Sequence, residues 1–155
     1  MIFSQTAEYA LRAVVCLAAD PARAMTTAEL ARTTRVPANY LSKLMQTLRR
    51  AGLVDAQRGV GGGFTLTRPP TDISVLDVIQ VVDPIERILT CPLGIESHGR
   101  TLCPMHRKLD DALEHIQRTF RDSTIQNLLN APGSSRPLCE TPGQTDLHIS
   151  ARDGE

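Results

Sequence analysis

Three helical patterns, then two short alternating segments around a glycine-rich tip, fill the first 70 residues, and that order leaves few folds open. Residues 5–19 place Ala7, Ala10, Leu11, Val14, Val15 and Ala18 at helical spacing. A second helix opens at Thr26, where Thr26-x-x-Glu29 reads as a capping box, and runs to about Thr33. After the turn Thr34-Arg35-Val36, Pro37 suits the first position of a third helix, where its missing N–H is not needed. Leu41, Leu44, Met45 and Leu48 line one face of that helix, and Gly52 ends it. The segments LVDAQR and FTLTR, joined by Gly59-Val60-Gly61-Gly62-Gly63, predict a β-hairpin, and Pro69-Pro70 closes the unit.

Ser74-x-x-Asp77 predicts the cap of a fourth helix, with Val75, Val78, Ile79 and Val82 on one face and Pro84 past its end. Residues 86–103 form an irregular stretch. A longer helix over about 105–121 carries Met105, Leu109, Ala112, Leu113, Ile116 and Phe120, and a short last helix begins at Ser123. From Ala131 the chain is rich in Pro, Gly, Ser and Thr, a composition expected to stay disordered. The expected division is 1–70, 71–130 and a tail of 131–155. The fold class is mainly α with a small β-hairpin: a winged helix-turn-helix plus a long C-terminal helix.

In a winged helix the third helix enters the major groove of DNA. Opposite its apolar face this chain presents Asn39, Tyr40, Ser42, Lys43, Gln46 and Arg50. Asn and Gln suit adenine, and Lys or Arg suits guanine or phosphate. Arg49 and Arg50 suit phosphates, which position a protein without reading sequence. Arg58 stands at the hairpin tip, where an Arg can enter a narrow minor groove. Gly61 and Gly62 let the backbone approach closely. Charge agrees: residues 1–68 hold nine Lys/Arg against four Asp/Glu, while 69–155 hold eight against thirteen. Each feature alone has a plainer account, a solvated helix face or a simple turn. The glycine loop lacks the G-x-x-x-x-G-K pattern of a phosphate cradle.

No run approaches the ~18–20 apolar residues of a membrane span. The N-terminal stretch carries Glu8 and Arg12 and lacks a basic leader, so the expected compartment is the cytoplasm. Structural disulfides are uncommon there, which turns attention to metal or redox roles for cysteine. Cys16, inside VVCLAA, is expected to be a core thiol. Cys91 and Cys103 are each followed by Pro on the irregular stretch, and His106 follows as Cys103-x-x-His106. Thiolates and imidazole suit an iron–sulfur cluster or zinc. The same two cysteines could instead close a disulfide under oxidants. A metal-dependent enzyme built on them, with Glu8 as base, would leave the winged-helix order unexplained. Cys139, in the tail, is read as an exposed thiol, with a resolving or ligating role as alternatives. His115 and His148 are expected to face solvent.

The segment ELARTTRVPANYLSKLMQTLRRAGLVDAQRGVGGGFTLTR resembles the winged-helix domain of the iron–sulfur regulators that include IscR and NsrR. The YL-x-K-L and RG-x-GGG-F-x-L elements carry the resemblance, which extends over about residues 1–130. It implies a homodimer whose long C-terminal helices cross at the two-fold axis, bound to double-stranded DNA at a pseudo-palindromic operator. It also implies a sensor loop with three cysteines. Cys91 and Cys103 match the outer two and His106 the histidine of IscR-type members, whereas Ser97 stands at the middle position with His98 beside it. Glu8 matches a carboxylate that some relatives contribute from the other subunit. The resemblance therefore implies the ligand set Cys91, Cys103, His106 and Glu8, with His98 in reserve. Only two thiolates favour [2Fe–2S] over [4Fe–4S]. The plainer role for Glu8 is an i,i+4 salt bridge to Arg12. The expected function is a sequence-specific transcription regulator sensing redox state, nitric oxide or iron through a cluster. The alternative is a cluster-free thiol/disulfide switch.

Overall fold

Helix α1 (Gln5–Ala18) forms the axis of the core, because Ala7, Ala10, Ala13, Val14, Val15 and Leu17 put small and branched side chains on its inner side. Ser4 caps it by accepting from the Ala7 N–H. The computed structural model describes residues 3–94 and 102–132. The expectation of a disordered tail, and the positions of Ser97, His98, Cys139 and His148, fall almost wholly or wholly outside those residues.

Helices α2 (Thr27–Thr34) and α3 (Ala38–Arg50) pack on α1 through Leu30, Leu41, Leu44, Met45 and Leu48, all buried. The capping box at α2 forms as expected: Thr26 accepts from the Glu29 N–H while the Glu29 carboxylate accepts from the Thr26 N–H. Those contacts, the backbone N–H of Thr26 first, hold the Glu29 carboxyl below its ordinary range. Pro37 stands one place outside α3, as its N-cap, rather than at the first helical position. Its extended backbone leads into the helix, and its ring gives the cap no side-chain hydrogen bond. Gly52, at φ +74°, closes α3 in a Schellman arrangement: its N–H donates to the Arg49 carbonyl at 2.9 Å, and the Leu53 N–H to Leu48 at 3.0 Å.

Strands β1 (Val54–Gln57) and β2 (Gly63–Leu66) pair antiparallel, Val54 opposite Leu66 and Gln57 opposite Gly63. The segment before α2 extends this hairpin, since Met25 and Phe64 exchange backbone hydrogen bonds of 2.8 and 3.0 Å. Only glycine fits beside that contact. Gly63 lies at φ +153°, and a Cβ there would sit 2.5 Å from the Met25 carbonyl carbon. Gly63→Ala is expected to cost about 1–3 kcal/mol in urea unfolding. An unchanged midpoint would show that the Met25–Phe64 bridge does not hold the wing.

A 3₁₀ turn (Pro70–Asp72) leads to α4 (Val75–Val82), where Ser74 and Asp77 form the expected capping box. Ile73, Val75, Val78 and Ile79 join the same core as α1. Helix α5 (Pro104–Asp122) has Cys103 as N-cap and Pro104 in its first turn. The last helix, α6 (Ile125–Leu129), begins two residues after the expected start at Ser123. Ser123 ends α5, and Thr124 is the cap, accepting from the Asn127 N–H. Ile125 is fully buried in the core. Among the described residues, no helix is long and apolar enough to cross a membrane.

Candidate functional site

Burying Leu41, Leu44, Met45 and Leu48 leaves the other side of α3 in solvent. Asn39, Lys43, Gln46 and Arg50 recur there at three- and four-residue steps and are exposed, with Ser42 half-buried beside them. The donors and acceptors expected to read base edges therefore share one open face. Arg49 is exposed too, but its Nε lies 3.7 Å from the Asp55 carboxylate, so the hairpin base orients it. Tyr40 has a task the sequence did not suggest. Its ring stands edge-on to Tyr9 at 5.6 Å, and its hydroxyl meets the Thr6 hydroxyl, both in α1. Arg58 and Gly61 are exposed at the hairpin tip. Gly61 has φ +76°, and the Gly62 N–H donates to the Gly59 carbonyl to close the turn.

The second group of interest gathers at the start of α5. The Cys103 sulfur caps the helix, 3.5 Å from the His106 N–H, and lies 3.3 Å from His106 Nδ1. The Cys91 sulfur approaches the same nitrogen at 4.0 Å. His106 itself is only 8% exposed. A Cys at N-cap and a His one turn on necessarily face each other, so the Cys103-x-x-His106 spacing produces this contact directly. Among the described residues, no disulfide joins any two of Cys16, Cys91 and Cys103. Cys16 is buried as expected, its sulfur 3.8 Å from the Met25 sulfur.

The chain before Cys91 is held by an anchor that no sequence pattern announced. Arg87 makes a forked pair to Asp110 of α5, at 2.6 and 2.7 Å, and reaches Glu114 at 3.2 Å. The Ile88 N–H adds a third bond to Asp110 at 2.9 Å. Gln80 of α4 and Gln117 of α5 both donate to the Ile85 carbonyl. The Asp110 bond raises Arg87 above the ordinary guanidinium range, and the Arg87 bond holds Asp110 below the ordinary carboxylate range. A lowered carboxyl contributes stability that is complete above its unfolded value, about pH 4, and is lost as pH falls through its folded value. Asp110→Asn is therefore expected to be less stable than the wild type at pH 7, with the gap closing below about pH 4. A gap of equal size at pH 3 and pH 7 in urea melts would refute this.

Glu8 pairs with Arg12 across one turn of α1, which is its plainer expected role. Among the described residues, no three His, Cys, Asp or Glu side chains are placed so that together they could hold a metal ion. The donor types gathered at α5, two thiols and one imidazole, are ones that metal centres use. Two ligands on a tetrahedral centre with the usual metal–sulfur and metal–nitrogen bonds stand about 3.5 Å apart. The sulfur–nitrogen separations of 3.3 and 4.0 Å bracket that figure.

A three-helix unit with a glycine-tipped hairpin and a polar third-helix face defines a winged-helix DNA-binding regulator. The chain belongs to the Rrf2 family: the family pattern, described as an iron-dependent transcriptional regulator, matches residues 3–131. It is similar to an HTH-type transcriptional regulator of Aquifex aeolicus, 32% identical over 133 residues, spanning 84% of this chain and 92% of that one. Among solved structures it is similar to IscR of T. potens, with TM-score 0.69, 25% identity and coverage of 86% of this chain and 94% of the other. It shares its fold with CymR of B. subtilis, described as a global cysteine regulator, with TM-score 0.71, 24% identity and coverage of 86% and 99%. The family is one of transcription regulators, not enzymes.

Proposed function

We propose that this chain is a sequence-specific regulator that reads its operator with α3 and senses redox state, nitric oxide or iron at Cys91, Cys103 and His106. The convergence of both sulfurs on one buried imidazole nitrogen carries the sensing part. These three residues, with Glu8 of a second copy, would hold an iron–sulfur centre, [2Fe–2S] before [4Fe–4S] because only two are thiolates. Such a centre would supply a reversible one-electron or ligand-exchange event at the head of α5. His98 is the reserve donor. Residues 1–70 would bind DNA, and 71–130 would sense and pair.

Pairing has its own support. Met105 and Leu109 are 61% and 50% exposed, and Ala112 continues their stripe along α5. An open apolar helix face of this length suits a second α5. Two copies would present two α3 helices to a pseudo-palindromic site.

The second reading is a thiol switch. Cys91 and Cys103 would each lose a proton and together two electrons to an external oxidant, forming one S–S bond. The two thiols flanking His106 favour it. Purification without oxygen separates the readings, through the visible spectrum with iron and acid-labile sulfide per chain. Colour with stoichiometric iron and sulfide supports a cluster. A colourless, iron-free chain that binds DNA and loses two hydrogen masses on oxidation refutes it in favour of the switch.

A further inference from the structure

Arg12 lies midway along α1, and its guanidinium touches Glu8 and the end of α2. Nη1 donates to the Thr34 carbonyl at 3.1 Å. Nη2 binds the Glu8 carboxylate. The guanidinium carbon stands 5.7 Å from the centre of the Tyr9 ring. Thr34 is the last residue of α2, so its carbonyl is one of those a helix leaves without an internal acceptor role. A cation there also meets the negative end of the helix dipole.

The next residue is the sharpest point of the turn. Arg35 has φ +57° and is the only non-glycine residue with positive φ among the described residues. On the far side of the turn, Tyr40 in the first turn of α3 is held edge-on by Tyr9 and by the Thr6 hydroxyl. Helix α1 thus grips both ends of the turn, α2 through Arg12 and α3 through Tyr40. Arg12 Nε is buried without a partner among the described residues. The pose of the guanidinium is therefore set by its two outer nitrogens, on Thr34 and Glu8.

We propose that Arg12 is a positioning residue for DNA recognition: it fixes the α2–α3 turn that aims α3, and Glu8 fixes the pose of Arg12. The inference rests on α3 being the helix that reads DNA, and on nothing about a metal.

The test uses the full chain, stripped of metal by a chelator. The probes are a duplex selected in vitro by the wild type and an unrelated duplex of equal length, at one salt concentration. Arg12→Lys keeps the charge, but a single ammonium lacks the planar fork that spans Glu8 and Thr34. It is expected to lower the ratio of selected to unrelated affinity about tenfold, with unrelated binding unchanged. Arg12→Met is expected to lower the ratio at least as far, and Glu8→Gln by a smaller factor. Gln46→Ala serves as a control on α3. If Gln46→Ala lowers the ratio and no Arg12 or Glu8 variant does, the positioning role is refuted. The same holds if both affinities and the melting temperature fall together in the Arg12 variants, which marks a purely structural role. If Gln46→Ala also leaves the ratio unchanged, the assignment of α3 fails and takes this inference with it.

Discussion

The double variant Lys43→Ala/Gln46→Ala is expected to lose at least about 30-fold in affinity for a selected duplex, since each base contact contributes ~1–3 kcal/mol of discrimination. Contributions from separate base positions add roughly. Both side chains are exposed, and neither joins the Leu41, Leu44, Met45 and Leu48 face that holds α3 to the core. Their removal should therefore leave stability within about 0.5 kcal/mol. Affinity for an unrelated duplex should change little, with a salt slope shallower by at most about one. Arg49→Ala gives the contrasting pattern. Its guanidinium is oriented by Asp55 rather than by the groove-facing row, so selected and unrelated binding should weaken in step. Fluorescence anisotropy on both duplexes reads all of this. An equal loss on the two duplexes in the double variant would make Lys43 and Gln46 phosphate contacts, and sequence reading would have to lie elsewhere.

What the sequence disclosed and what it withheld divide along contact range. The capping boxes at Thr26/Glu29 and Ser74/Asp77 are complete within four residues, so their chemistry is visible in the string itself. The same is true of the Gly52 closure of α3 and of the Cys103–His106 contact across one turn. Boundaries differ by a residue or two where the cap residue itself is ambiguous in the string, as with Ser123 against Thr124, and at Pro37, which stands at the cap rather than inside α3. The anchors between distant segments were invisible. Arg87 meets Asp110 across 23 positions and Arg12 meets Thr34 across 22, and any exposed acid or open carbonyl would have been as good a guess. The apolar rhythm of α5 showed which residues lie together. It could not show that Met105 and Leu109 stay uncovered by the chain's own core. The spacing of α3 puts Tyr40 among its exposed residues, as the structure has it. Its ring also stands edge-on to Tyr9, a contact 31 positions away that the spacing does not reveal, while 40% of the residue stays exposed.

Cys91→Ser/Cys103→Ser is expected to abolish iron and acid-labile sulfide in protein purified without oxygen, with the visible absorption. The variant removes both sulfur donors and leaves only His106 within this chain's own set. Loss of outer-sphere support alone costs metal sites about 10–100-fold, and loss of two direct thiolates costs more. The substitution is gentle on the fold. Cys103 is the N-cap of α5, and serine is among the preferred residues there, so the helix keeps its cap. Cys91 lies beyond the Arg87–Asp110 anchor, which does not involve its sulfur. Binding to unrelated DNA should therefore survive, since α3 and the hairpin are untouched. What should vanish is any difference in selected-duplex affinity between aerobic and anaerobic preparations. His106→Ala separates the two sensing readings further. A cluster loses a ligand and most of its iron, whereas two thiols can still form a disulfide without the imidazole. Stoichiometric iron in the double serine variant would overturn the ligand assignment. A wild-type chain that responds to oxidants through Cys91 and Cys103 while never holding iron would instead place this chain among thiol-switched regulators.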